Sequence, residues 1–239
     1  MELNAIEQTV ETAAHLETRL LYGGYPEVIT AQGEDLRQRY LKEIVNSYLF
    51  KDILQFNGIK HSGKLVSLLQ LLAFQIGKTV SLNELGSQLG MNKITVERYL
   101  DLLEKTFVIF RLQGFSRNLR KEISKSPKYY FWDNGIRNTL IANFNPLALR
   151  NDTGELWENY IIAERLKKNE YENNFVNYYF WRTYDRQEID LIEEKNGRLT
   201  AYEIKWGKQP ARPPVAWGKA YPEVSFYIIH RENYLQFIT

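Results

Sequence analysis

Apolar residues recur at helical spacing from the start of the chain. Ile6, Val10, Ala13, Leu16 and Leu20 predict a helix from Glu2 to about Leu21, broken by Gly23-Gly24-Tyr25-Pro26. Leu36, Tyr40, Leu41, Ile44, Tyr48 and Leu49 predict a second helix from Asp35 to about Leu54, ended by Asn57-Gly58. A three-helix rhythm follows. Leu65, Leu68, Leu69, Leu72 and Ile76 stripe one helix, and Gly77 stops it. Ser81-x-x-Glu84 is a capping box opening a short helix through Leu82, Leu85 and Leu89, which Gly90 closes. Asn92 caps a third helix to Lys105, whose buried face is expected at Val96, Tyr99, Leu100 and Leu103. Strand-like runs at 107–112 and 128–132 complete the pattern of a winged helix-turn-helix.

Residues 143–154 are polar, contain Pro146 and read as a linker. Beyond them the chain alternates. A helix is expected over 155–168, strands over 176–182, 187–193 and 198–206, a short helix near 215–220 and a last strand over 224–230. Lys195-Asn196-Gly197 supplies a hairpin turn. The expected fold class is α+β in three parts: a helical segment (1–59), a winged helix-turn-helix domain (60–142) and an α-β-β-β-α-β domain (143–239).

Composition narrows the chemistry. The 239 residues include no cysteine, which excludes disulfides, thiolate metal sites and a cysteine nucleophile and fits a cytoplasmic location. Three scattered histidines (His15, His61, His230) make a histidine-rich zinc site a poor fit, so a metal here would be a hard cation on carboxylates. No run is long and apolar enough for a membrane helix. Gly77-Lys78-Thr79 is not a phosphate loop, because the glycine required five residues earlier is Leu72, within a helix.

Net charge is only +2, but it is unevenly spread: −4 over residues 1–59, +7 over 60–130 and −1 over 131–239. The basic island suggests a phosphate backbone as partner. Candidate nucleic-acid contacts are Asn92, Lys93, Thr95 and Arg98 on the third helix, with Arg111, Arg117, Arg120 and Lys121 after it. Glu97, Asp101 and Glu104 share that helix and oppose phosphate.

The sharpest chemical signal lies near the C-terminus. Glu203 and Lys205 are two apart on one strand and share a face. Asp190 sits between Ile189 and Leu191, is expected to oppose their face, and a short hairpin would set it near Glu203. Two such carboxylates repel unless a cation or proton joins them, and Mg²⁺ suits them. A lysine beside them can orient water or stabilise charge on a phosphate. Glu158, from the preceding helix, can add a third carboxylate. The plain alternative is a set of exposed ion pairs on a sheet edge.

Glu158, Asp190 within Gln187-Glu188-Ile189-Asp190-Leu191-Ile192, and Glu203-Ile204-Lys205 together resemble the PD-(D/E)XK restriction-endonuclease-like superfamily, with Ile-Asp in place of the usual Pro-Asp. A second resemblance spans nearly the whole chain. Gly23-Gly24-Tyr25-Pro26-Glu27-Val28, Tyr48-Leu49-Phe50-Lys51-Asp52-Ile53, the run 95–104, the run 125–135 and Gly154-Glu155-Leu156-Trp157-Glu158-Asn159 look like the C-terminal region of a prokaryotic AAA-type ATPase family. In that family an ATPase domain precedes a winged helix and a restriction-endonuclease-like domain of unassigned function. This chain holds no Walker motif and reads as that region without its ATPase domain.

The resemblance implies a DNA-associated module in which Asp190, Glu203 and Glu158 hold Mg²⁺ and Lys205 assists hydrolysis of a phosphodiester. It also implies an ATPase domain or homologous subunits as partners. The alternative expectation is a non-catalytic region that binds nucleic acid or docks onto the ATPase.

Overall fold

The computed structural model describes residues 15–47, 62–116, 126–210 and 212–239. The expectations for 1–14 and 48–61, and for Arg117, Arg120 and Lys121, lie outside the described residues. The fold is α+β. Helices α1 (Leu16–Tyr22), α2 (Pro26–Thr30) and α3 (Glu34–Ile44) lead. Helices α4 (Ser62–Phe74), α5 (Leu82–Leu89) and α6 (Lys93–Lys105) precede a hairpin of β1 (Ile109–Gly114) and β2 (Lys128–Phe131). Then come α7 (Asn134–Leu140), α8 (Thr153–Tyr171), β3 (Asn177–Arg182), β4 (Glu188–Lys195), β5 (Arg198–Ile204), α9 (Val215–Ala220), β6 (Ser225–Ile229) and α10 (Tyr234–Ile238).

Local signals act as their chemistry requires. The Ser81 hydroxyl accepts the Glu84 N–H at 3.3 Å, and the Asn92 side chain accepts the Thr95 N–H at 2.8 Å. Gly90 closes α5 in the left-handed region, and Asn196-Gly197 turns between β4 and β5 with both φ angles positive. Leu72 is helical, as the rejection of a phosphate loop at Gly77 requires.

Three expectations change. Leu36 and Tyr40 are exposed on α3, so its buried side is narrower than the apolar pattern suggests. The strand expected from Phe107 begins at Ile109, because Phe107 is in a left-handed turn and largely exposed. Helices α2, α7 and α10 are absent from the expected elements. Asp133 caps α7 by accepting the Ile136 N–H at 3.0 Å, and it also accepts the Gly24 N–H at 2.7 Å, tying the Gly23-Gly24 turn down.

One sheet runs through the molecule in the order β2-β1-β3-β4-β5-β6. The β1–β2 hairpin does not stand free. It joins β3 in parallel, with Gln113 opposite Tyr179 and Gly114 opposite Phe180. A large core fills one side, in which Leu72 and Leu100 of the helical half share a cluster with Trp157, Leu191 and Ile204. A smaller cluster of Phe115, Trp181, Ile189, Ala201 and Trp217 lies apart from it.

Register places the key acidic residue. Tyr179 pairs with Ile192 but Trp181 pairs with Ile189, so Phe180 faces two residues, Asp190 and Leu191. This is a β-bulge, which breaks the alternation and re-aims a side chain. Ile189 and Leu191 accordingly enter different core clusters. Asp190 therefore does not simply oppose a face shared by its neighbours, as strict alternation implies.

Asn159 fastens α8 to β2. Its amide oxygen accepts the Phe131 N–H at 2.7 Å, and its nitrogen donates to the Phe131 carbonyl at 2.9 Å and to Asn134 Oδ1 at 2.7 Å. Asn159→Ala leaves two buried backbone groups unpaired and is expected to cost about 2–4 kcal/mol in urea unfolding. A cost under about 0.5 kcal/mol would show that this clasp does not hold the two elements together.

Candidate functional site

Five elements converge on one carboxylate cluster. The β4–β5 ladder ends with Leu191 opposite Tyr202, which leaves Asp190 and Glu203, the next residue on each strand, at the same end of the two strands. Asp190 is buried, and its Oδ2 accepts the Ile204 N–H at 2.8 Å, which locks the carboxyl across the two strands. Burial, then the nearby charges of Glu158 and Glu203, push the Asp190 carboxyl well above the usual carboxylate range; Lys128 and Lys205 oppose that shift. The two acidic residues expected on neighbouring strands thus stand with Glu158 of α8 in one electrostatic group.

Lys205 meets Glu203 at 2.5 Å and is the more open of the pair, with 41% of its side chain exposed. Burial tends to lower its ammonium, but Asp190 and Glu203 hold it above the ordinary lysine value. Glu203 Oε2 is buried and finds no hydrogen-bond partner among the described residues. An orphan carboxylate oxygen beside a second buried carboxyl is a chemical fit to a hard cation. Among the described residues, no three His, Asp or Glu side chains are arranged to hold one metal, so the donor set amounts to two carboxylates rather than a closed cage.

Glu158 is occupied differently. Its Oε1 accepts a hydrogen bond from the Tyr130 hydroxyl at 2.6 Å and lies 3.4 Å from Lys128 Nζ. Lys128 also pairs with Glu188, which in turn faces Arg182 at 3.6 Å. Burial would depress the Lys128 ammonium, yet Glu158, Asp190 and Glu188 hold it above the usual lysine range. Gly77 closes over this group: a Cβ there would lie 3.3 Å from Glu158 Oε1. Lys128, Tyr130 and Glu188 were missed in the sequence. A lysine inside the strand-like run Lys128-Tyr129-Tyr130-Phe131-Trp132 was the one available signal.

The described nucleic-acid candidates, Asn92, Lys93, Thr95, Arg98 and Arg111, lie away from this cluster. Asn92 and Thr95 are joined in the helix cap, where the Thr95 hydroxyl donates to Asn92 Oδ1 at 2.9 Å. Lys93 stands 3.6 Å from Glu97, and Arg111 stands 3.5 Å from Glu104. The Arg98 guanidinium lies 5.7 Å from the Tyr99 ring centre. Between α6 and β1 is a cleft of about 520 Å³ whose lining includes Lys93, Glu97, Asp101, Glu104 and Arg111. Its cations are matched by acids. Burial pushes the Glu104 carboxyl up, against the pull of Arg111.

Among the described residues no helix is long and apolar enough to cross a membrane. Residues 13–147 match the family model described as Domain of unknown function (DUF8612), and residues 153–215 match Domain of unknown function (DUF4143). An uncharacterized protein of Mycobacterium tuberculosis is 29% identical over 193 residues, spanning 80% of this chain and 43% of its own length. One of Methanocaldococcus jannaschii is 23% identical over 202 residues, spanning 82% and 44% respectively. One of Haemophilus influenzae is 30% identical over 126 residues, spanning 51% and 31%. The chain therefore spans less than half the length of the curated relatives it matches. No solved structure matches it.

Proposed function

This chain belongs to the DUF8612 family of unknown function, and we propose that its carboxylate cluster is the centre of a Mg²⁺-dependent phosphodiester hydrolase module of the PD-(D/E)XK type. The observation that carries the reading is the pairing of buried Asp190 with Glu203, whose second carboxylate oxygen is unsatisfied, next to a half-open lysine. Asp190 and Glu203, with the Ile204 carbonyl, would hold the ion. The ion would supply Lewis-acid stabilisation of charge on the phosphate.

The chain's own residues supply the rest. The Ile204 amide and the bulge fix the Asp190 carboxyl in place. The contact with Glu203 sets the Lys205 ammonium at the open side, where it can hold an attacking water or a phosphate oxygen. The curated relatives are more than twice as long as the stretch they share with this chain, and the resemblance to the C-terminal region of AAA-type ATPases makes an ATPase domain the expected partner.

The test is incubation of the purified chain with plasmid and linear DNA and with RNA, with and without Mg²⁺ or Mn²⁺. Metal-dependent cutting that falls by about 100-fold or more in Lys205→Ala is the expected result. Absence of cutting in every metal counts against the hydrolase.

A second reading concerns α6. Two of its cations are matched by acids on the same helix, through Lys93–Glu97 and the 2.8 Å pair Lys105–Asp101, and Arg98 lies over the Tyr99 ring, which favours docking of a protein over reading of a DNA groove. Failure to shift duplex DNA even at low salt supports docking. A shift that weakens steeply with salt and is lost in Arg98→Ala supports DNA binding.

A further inference from the structure

The proposed reaction gives no part to Lys128, yet this residue is placed at considerable expense. It comes from β2 in the helical half of the chain, is 2% exposed, and lies 5.4 Å from the Phe180 ring centre. A buried ammonium is tolerated only when paired, and here the partners are Glu158 and Glu188. Its position is set by its surroundings. Thr79 bridges to Lys128, Val80 donates its N–H to the Pro127 carbonyl at 2.8 Å, and the Gly77 N–H reaches the Tyr129 carbonyl at 3.3 Å. Asn159 clasps Phe131 on the other side.

Charge explains what such a residue does. Four carboxylates, Glu158, Glu188, Asp190 and Glu203, face three cations, Lys128, Lys205 and Arg182. Lys205 is half-open to solvent and can swing onto a substrate. Lys128 cannot, because it is enclosed by Phe180 and its carboxylates. Its ammonium lowers the negative potential that would draw a divalent ion to Asp190 and Glu203.

We propose that Lys128 is the built-in counter-cation of the carboxylate centre, a positioning residue that competes electrostatically with a divalent ion and makes the β1–β2 hairpin a control on ion binding. This deepens the hydrolase reading and rests on it. The centre keeps its shape without an ion because Lys128 already balances Glu158 and Glu188. Ion affinity therefore depends on a residue carried by the helical half, and any partner that shifts the hairpin changes the site.

The experiment is calorimetric titration of Mn²⁺ into the full chain and into Lys128→Met, Lys128→Arg and Lys78→Met, with thermal unfolding of each in the presence and absence of Mn²⁺. Lys128→Met is expected to bind Mn²⁺ about tenfold or more tightly than the parent chain and to gain more thermal stability from it. Lys128→Arg keeps the charge and is expected to stay within about threefold of the parent; Lys78→Met, an exposed lysine on the neighbouring loop, within about twofold.

Equal or weaker binding by Lys128→Met overturns the proposal while leaving the ion site intact. No Mn²⁺ binding by any of the four proteins removes the ion site itself, and the proposal with it. Should Lys128→Met fail to fold, Glu188→Gln serves instead, since Glu188 is partly exposed. It leaves Glu158 as the acid paired with Lys128, and Mn²⁺ binding about fivefold weaker is expected. Unchanged affinity in that variant overturns the proposal.

Discussion

Under the proposed hydrolase reading, Asp190→Asn is expected to yield a protein that is more stable than its parent and lacks metal-dependent cleavage. Burial and the charges of Glu158 and Glu203 raise the Asp190 carboxyl well above its ordinary range. The folded chain therefore keeps this proton at pH values where the unfolded chain has released it. Stability falls as pH rises through that window, and above it the full cost of the buried charge is present. Asparagine removes the charge and keeps an oxygen to accept the Ile204 N–H. A gain of about 0.5–2 kcal/mol near pH 8 is expected, closing as pH falls below about 4. Metal-dependent cleavage is expected to drop by about 1,000-fold or more. Urea unfolding at several pH values and a cleavage assay check both halves. A variant less stable than its parent at pH 8 would show that the Asp190 charge is well accommodated.

Gly135→Ala is expected to cost about 3 kcal/mol or more, or to prevent folding. A Cβ at this position would lie 2.2 Å from the Tyr22 carbonyl oxygen, 2.6 Å from its carbon and 2.9 Å from Leu41 Cδ2. Two of those three atoms are backbone and cannot rotate away. The cost is steric, since the φ of Gly135 is not in the left-handed region. The close approach lets Asn138 on the same helix donate to the Leu20 and Leu21 carbonyls at 3.2 and 2.8 Å, which docks α1 on α7. Gly63 is the control. Nothing lies within 4 Å of its Cβ position, so Gly63→Ala is expected to be neutral or stabilising by up to about 1 kcal/mol. Thermal unfolding of the two variants separates close packing from helix propensity. Equal loss in both would mean that Gly135 carries no special contact.

Local chemistry was legible wherever it decided the structure. Ser81, Gly90 and Asn92 mark helix ends because their groups pair with amides or carbonyls within the same turn. Asn196-Gly197 marks its hairpin because both residues accept the positive φ that the two-residue turn requires. Asp190, Glu203 and Lys205 were legible as candidates from strand spacing, and Glu158 from its place in the helix that precedes those strands. What escaped depends on partners remote in sequence. The bulge opposite Phe180 arises from pairing between β3 and β4, and alternation along β4 alone cannot reveal it. Lys128 belongs by sequence to the basic island of residues 60–130 that suggests a phosphate partner; in the fold it is buried against Glu158 and Glu188. Helix α7 escaped because Asn134 and Gly135 have weak helix propensity and its packing on α1 compensates.

The central claim is that Asp190 and Glu203 form an ion-binding pair, and a crystal soaked in Mn²⁺ tests it most directly. An anomalous peak held by both carboxylates and the Ile204 carbonyl is the expected result. Empty density between Asp190 and Glu203, in crystals of a protein that cuts DNA with Mn²⁺, would contradict it.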